Sequence, residues 1–298
     1  MILRRVAAGV LLAASLAARA QEPAQEPAQA PSASPEVASD ADTRPLITRP
    51  LWELGVGISA VRLPDYRGSD QSQNYFLPFP YIVYRGSWLR ADRDGTRARL
   101  FDSPNVRVDL SFGATAPTSS NKNAAREGMP NLPATIEVGP NLNITLDRAA
   151  DRRWKLDLRV PLRAAMSLEW TPRYVGTTLS PNLNLDISEP DSWNLGVLTG
   201  PLFADRKYHE QFYSVDAPYA TATRPAYQAH GGYAGWQLLG SASKRFGITW
   251  VGLFARYDSL HGAVFEDSPL VRRNSSFSAG FAISWVLSTS TEMVSRHE

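Results

Sequence analysis

The chain has 298 residues and no cysteine, which excludes a disulfide framework, a thiolate metal centre and a lipid-modified N-terminal cysteine. Its formal net charge of +2 comes from the first twenty residues, where Arg4, Arg5 and Arg19 stand without an acid; beyond them 28 bases face 29 acids. No block of like charge remains that would indicate a nucleic-acid partner.

Arg4 and Arg5 precede an apolar run from Val6 to Ala18, and Ala18-Arg19-Ala20 has the small-x-small pattern of a signal-peptidase site. The run is shorter than the roughly 20 residues of a spanning helix, so residues 1–20 are expected to be a signal peptide cleaved after Ala20. Residues 21–48 are Pro, Ala, Gln and Glu with QEPA twice in tandem. A segment with so little apolar bulk cannot offset its ordering entropy, and a disordered periplasmic spacer is expected.

From Trp52 the texture changes to strict alternation, the mark of strands with two unlike faces. Trp52, Leu54, Val56, Ile58 and Ala60 alternate with Glu53, Gly55, Gly57 and Ser59. The runs 106–116, 134–147, 153–168, 177–188, 193–204 and 275–287 repeat the pattern. Most exceed the ~5–6 residues of soluble strands and suit the ~9–11 of a strand crossing a bilayer at a tilt. A soluble sandwich or lipocalin-like barrel also alternates, but its apolar face turns inward. Here the polar face of Arg, Asp, Asn and Gly suits a wet lumen, and the continuous Leu, Val, Ile and Trp face suits lipid.

Connections alternate in length as well. Short turns are expected near 85–86, 102–105, 149–152, 189–192 and 244–247, and longer loops at 63–74, 117–133, 169–176, 205–232 and 259–274. With a tight outer turn at 92–95, this parity predicts an all-β, antiparallel transmembrane barrel of the outer-membrane type over 49–287, with about twelve strands. The segments 87–92 and 96–101 are short for spanning strands, and ten results if they do not cross. Residues 288–298 are expected to be a polar tail.

Tryptophan favours the membrane interface, where an apolar body meets a wet N–H. On this topology Trp52, Trp88, Trp154, Trp193, Trp250 and Trp285 form a girdle at periplasmic strand ends, with Trp170 and Trp236 at outer ends. Folding neighbouring strands together sets Asp147 opposite Arg153, Glu137 opposite Arg163 and Asp186 near Arg159. Opposite charges on adjacent strands attract, so this lumenal network either knits the interior shut or lines a small selective pore.

Catalytic chemistry finds little support. Three of the four histidines (His209, His230, His261) lie in expected loops and His297 in the tail. A set of His261 with Ser259 or Ser268 and Asp267 is adjacent in sequence but lacks a geometric warrant. No metal-ligand spacing occurs, and neither a metal nor a cofactor is expected.

The stretches PDYRGSD (64–70), LPFPYIVYRG (77–86), GMPNLPATIEVGPNLNITL (128–146), RPAYQAHGGYAGWQ (224–237) and DSPLVRR (267–273) together resemble the MipA/OmpV family of outer-membrane proteins, whose founding member is the MltA-interacting protein. The resemblance implies a non-enzymatic scaffold in outer-membrane lipid. It would bring a murein lytic transglycosylase together with a murein synthase during cell-wall remodelling. A small-solute channel or surface adhesin is the alternative. One departure is that Trp285-Val286-Leu287 is followed by a polar tail, where such barrels usually end on an aromatic residue.

Overall fold

A computed structural model describes residues 46–85, 89–92, 95–103, 105–151, 153–188 and 192–297. The expected signal peptide with Ala18 and Ala20, the spacer up to residue 45, and Trp88 lie outside the described residues.

The alternating segments become strands. In chain order they are β1 (Leu46–Pro50), β2 (Trp52–Pro64), β3 (Ser72–Arg85), β4 (Leu89–Asp92), β5 (Gly95–Asp102), β6 (Val106–Thr115), β7 (Thr135–Arg148) and β8 (Trp154–Ser167). Then follow β9 (Tyr174–Leu179), β10 (Asn182–Ile187), β11 (Asn194–Ala204), helix α1 (Arg206–Tyr213), β12 (Gly232–Phe246), β13 (Thr249–Ser259), β14 (Ser275–Thr289) and β15 (Met293–His297).

Strands β2 to β14 form one antiparallel sheet that closes on itself. β14 pairs with β2, placing Ile283 opposite Ile58. On the far side β8 pairs with both β9 and β10, and both of these pair with β11. β9 and β10 are thus two halves of one stave, interrupted at Ser180-Pro181, where proline has no amide to give the ladder. Among the described residues, thirteen strands with one shared stave make a twelve-stave barrel. The segments expected to be weak are short: among the described residues β4 meets β3 only at Tyr84 and Arg85.

Alternation sets the two faces. On β2, Leu54, Val56 and Ile58 point outward and are exposed, whereas Glu53 points inward and is 2% exposed. Phe76, Leu195, Val197, Leu253, Phe277 and Phe281 continue the exposed apolar surface around the wall. An apolar outside with a polar inside is the arrangement that hydrocarbon requires of a barrel. Short turns gather at one end, among them Gly247-Ile248 between β12 and β13, and long loops at the other. In outer-membrane barrels the short turns are periplasmic, which fixes the names of the two ends.

Two segments differ from expectation. The end of the spacer and part of the polar tail pair as β1 and β15 in a separate two-stranded sheet. Beside it, Ser290 donates its amide to the carbonyl of Trp52 at 2.9 Å, so the chain returns beside the start of β2. The long outer loops, moreover, are packed. Leu260, Phe265, Leu270, Val215 and Tyr213, with Tyr66 and Leu132, form a single apolar core drawn from four loops. The buried apolar core of this protein therefore lies above the barrel, where each fully buried large side chain contributes about 1.5–3 kcal/mol.

Candidate functional site: a capped, charge-lined lumen

The inward faces carry paired charges from one end to the other. Near the periplasmic rim, the buried Glu53 carboxylate accepts from Arg85 at 2.7 Å and from Arg245 at 2.6 Å. Midway, Asp157 is fully buried, 2.6 Å from Lys155 and 3.7 Å from Arg159, and accepts from Thr145. Arg159 also donates to Asp186 at 2.9 Å, which Asn184 bonds in turn. Towards the outer end, Asp258 is held by Arg256 and lies 3.3 Å from Arg67. Buried charges are costly unless they are paired, and these carboxylates find cations on their own strand, on other strands of the wall and, for Arg67, on an outer loop.

The outer mouth is closed by α1. Asp205 caps the helix, its carboxylate accepting from the Tyr208 amide at 2.8 Å, which satisfies an orphan donor of the first turn. The Tyr208 hydroxyl donates to Glu137 at 2.9 Å. Since Glu137 faces the lumen from β7, the helix reaches into the barrel. Burial, followed by the Glu137 charge, pushes the Tyr208 phenol well above its ordinary range. Behind it, the Tyr213 and Phe265 rings stack at 3.7 Å between centroids with 8° between planes.

Two buried arginines tie the loops together through backbone carbonyls. Arg126 donates to Phe212 and Pro130, and Arg224 to Tyr219, Ala125 and Glu127. Each guanidinium thereby satisfies several carbonyls that a buried loop leaves without strand partners. Burial lowers the Arg126 pKa from its usual value and raises that of Tyr66 to about 12. The Tyr66 hydroxyl donates to Leu270 and that of Tyr213 to Arg67, so loops rooted on different sides of the barrel meet across its mouth.

The lumenal charges named from sequence divide into two groups. Arg159 with Asp186 and Arg163 with Glu137, at 3.9 Å, face each other inside. Asp147 and Arg153 do not belong to that network. A bulge after Thr145 places Asp147 opposite Leu156, its carboxylate accepts from the Arg148 amide, and Arg153 pairs with Asp151 at the exposed periplasmic turn.

Among the tryptophans, Trp52, Trp154, Trp193 and Trp285 point outward near the periplasmic rim. Trp250 does not. It shares the inward phase of Gly252 and Asp258, and its ring lies 6.5 Å from that of Tyr81 across the lumen. The interface assignment used position along the strand without its phase. Ser268 is committed to the Tyr213 carbonyl and His261 turns to Glu266, which is not the catalytic arrangement considered above. Sequence reasoning missed Glu53 with its two arginines, because their partners lie far apart in the chain, and it missed the loop arginines. A buried Tyr and Arg in Gly- and Pro-rich segments was the available signal.

The comparisons with known proteins come to rest on this geometry. The family model described as "MltA-interacting protein MipA" matches residues 56–287. No curated protein matches the chain. Among solved structures, a bacterial polysaccharide outer membrane secretin is similar at 9% identity and a TM-score of 0.39, over 79% of this chain and 99% of that one. Outer membrane phospholipase A from Escherichia coli is similar at 13% identity and a TM-score of 0.32, over 78% and 92%. The outer membrane protease OmpT from Escherichia coli follows at 7% identity and 0.29, over 85% and 100%.

Proposed function

Because the chain belongs to the family of the MltA-interacting protein MipA, we propose that it is a non-enzymatic outer-membrane scaffold for murein-remodelling enzymes. Its partners would be a lytic transglycosylase and a murein synthase. The observation that carries this reading is the closed mouth. Helix α1 and the loop core lie across the outer end, with Tyr208 bonded down to Glu137, so the lumen offers a solute no straight path from outside. What remains for function is surface, and the periplasmic rim is the surface that murein enzymes can reach. The turns expected at 149–152 and 189–192 are the segments proposed to contact them.

Mild crosslinking in intact envelopes, followed by purification of the full chain, is expected to recover a murein lytic transglycosylase. Shortening both periplasmic turns should lower that recovery several-fold. Recovery of no murein enzyme from crosslinked envelopes would remove the proposal. A second reading, surface ligand binding, is supported by an outer cleft of about 540 Å³ whose lining includes Arg126, Arg173, Lys207, Gln211 and Gln228. Deletion of 206–230 would abolish binding of such a ligand and leave the periplasmic partners in place.

A further inference from the structure

The barrel wall is not bonded all the way up. β4 meets β3 only at Tyr84 and Arg85, and the pairing of β5 with β6 ends at Arg99 opposite Asp109. The described parts of this hairpin, Leu89–Asp92 and Gly95–Asp102, lie along the periplasmic part of the wall. Above it, among the described residues, Ser72–Val83 pairs with β2 alone and Leu110–Thr115 with β7 alone. A seam therefore runs between β3 and β6 in the outer half of the barrel.

β3 has the chemistry of a strand without a neighbour there. The Arg85 amide donates to Leu51 on the β2 side. By alternation the even-numbered residues of β3 turn their amide positions to the seam. Pro78 and Pro80 occupy two of them, and proline has no N–H to leave unpaired in hydrocarbon. The outward side of this edge is apolar, with Phe76 78% exposed and Ile82 also exposed.

The lumenal face of β3 differs from those of the strands across the seam. β6, β7 and β8 turn charged and amide side chains inward, whereas β3 turns Tyr75, Leu77, Phe79, Tyr81 and Val83. Glycines make room for this stripe: a side chain at Gly57 would strike the Phe79 ring, and one at Gly252 would strike Trp250. Tyr81 and Trp250 meet below as a floor. With the outer mouth closed by the loop core, the side open to this stripe is the bilayer.

We propose that the seam admits the acyl chain of a bilayer lipid, which lies along the lumenal face of β3 above Tyr81 and Trp250. The apolar stripe gains when lipid methylenes displace lumenal water from it, while a charged solute would lose hydration without finding a partner. This goes beyond the scaffold reading and does not depend on it.

The test uses the full chain in phosphatidylcholine nanodiscs containing a phospholipid with a diazirine in one acyl chain. After irradiation, adducts are mapped by mass spectrometry. Adducts are expected on lumenal Phe79 and Tyr81 as well as on outward Phe76, and not on Leu198 and Leu239, which face the lumen from β11 and β12. Tyr81→Lys should reduce Phe79 labelling at least tenfold while Phe76 labelling, which reports the folded barrel, stays constant. Wild-type adducts confined to outward residues would overturn the proposal without any variant. Lumenal labelling spread equally to Leu198 and Leu239 would overturn the site on β3.

Discussion

Glu53 is the lumenal residue whose removal should be felt most. Its two oxygens each take one arginine, Arg85 and Arg245, and without the carboxylate two like charges face each other in a confined space. Glu53→Gln is expected to lower stability by about 3–5 kcal/mol, the order seen when one partner of a buried pair is removed, and the thermal midpoint of the detergent-solubilised barrel measures it. His209 makes a pH-dependent contribution. Its Nδ1 lies 2.6 Å from the His230 carbonyl and donates to it, while the buried Nε2 has no partner among the described residues. Burial is the main cause lowering its pKa below 6.5, with Arg67 acting in the same direction and the His230 carbonyl and Asp205 opposing. The folded cap thus binds the proton less readily than the unfolded loop. Its contribution is fully present above pH 6.5 and is lost as pH falls below that value towards the lowered folded pKa. Corrected for the intrinsic base-catalysed rate, amide protection over 205–231 should fall between pH 7.5 and pH 5, and His209→Phe should flatten that dependence. At this scale the sequence showed Arg159 with Asp186, since one hairpin register joins them. It could not show Glu53 with Arg245, which meet only when the last strands close on the first.

At the scale of elements, the cap is held by apolar packing and by arginine-to-carbonyl bonds. Phe265 is fully buried against Tyr213 and His209. Phe265→Ala is expected to cost about 3–5 kcal/mol of cap stability and to expose 205–231 to protease, while the barrel keeps its compact migration on unheated gels. Arg224→Lys should act in the same direction but more weakly, because an ammonium cannot reproduce the planar fork that serves three carbonyls. Period-two alternation made nearly every long strand visible, since one face meets lipid and the other water. α1 was not visible: eight residues carry too little periodic signal, and its fold depends on Tyr208 reaching Glu137 on another strand. Phase was as legible as position. Trp250 stands in register with Gly252, so alternation already contained its inward direction.

At the scale of the whole molecule, a largely polar lumen, an apolar exterior and a packed lid make a barrel closed to solutes at its outer mouth. The twelve staves follow from turn parity in the sequence. The seam beside β3 was foreshadowed by the two short segments, which left the strand count at twelve or ten; Pro78 and Pro80 gained meaning only when the pairings placed them on one edge. Interaction surfaces leave no comparable trace, because contacts spread over turns need no particular residue type. The central claim is that the outer mouth is closed to solutes, so that function lies in what the barrel holds. Planar-bilayer conductance of the purified chain tests it most directly. Wild type should give no stable single-channel steps, and a variant lacking 206–230 should give them readily. Stable, ion-selective steps from the wild-type barrel, abolished by neutralising Arg159 and Arg163, would contradict the account.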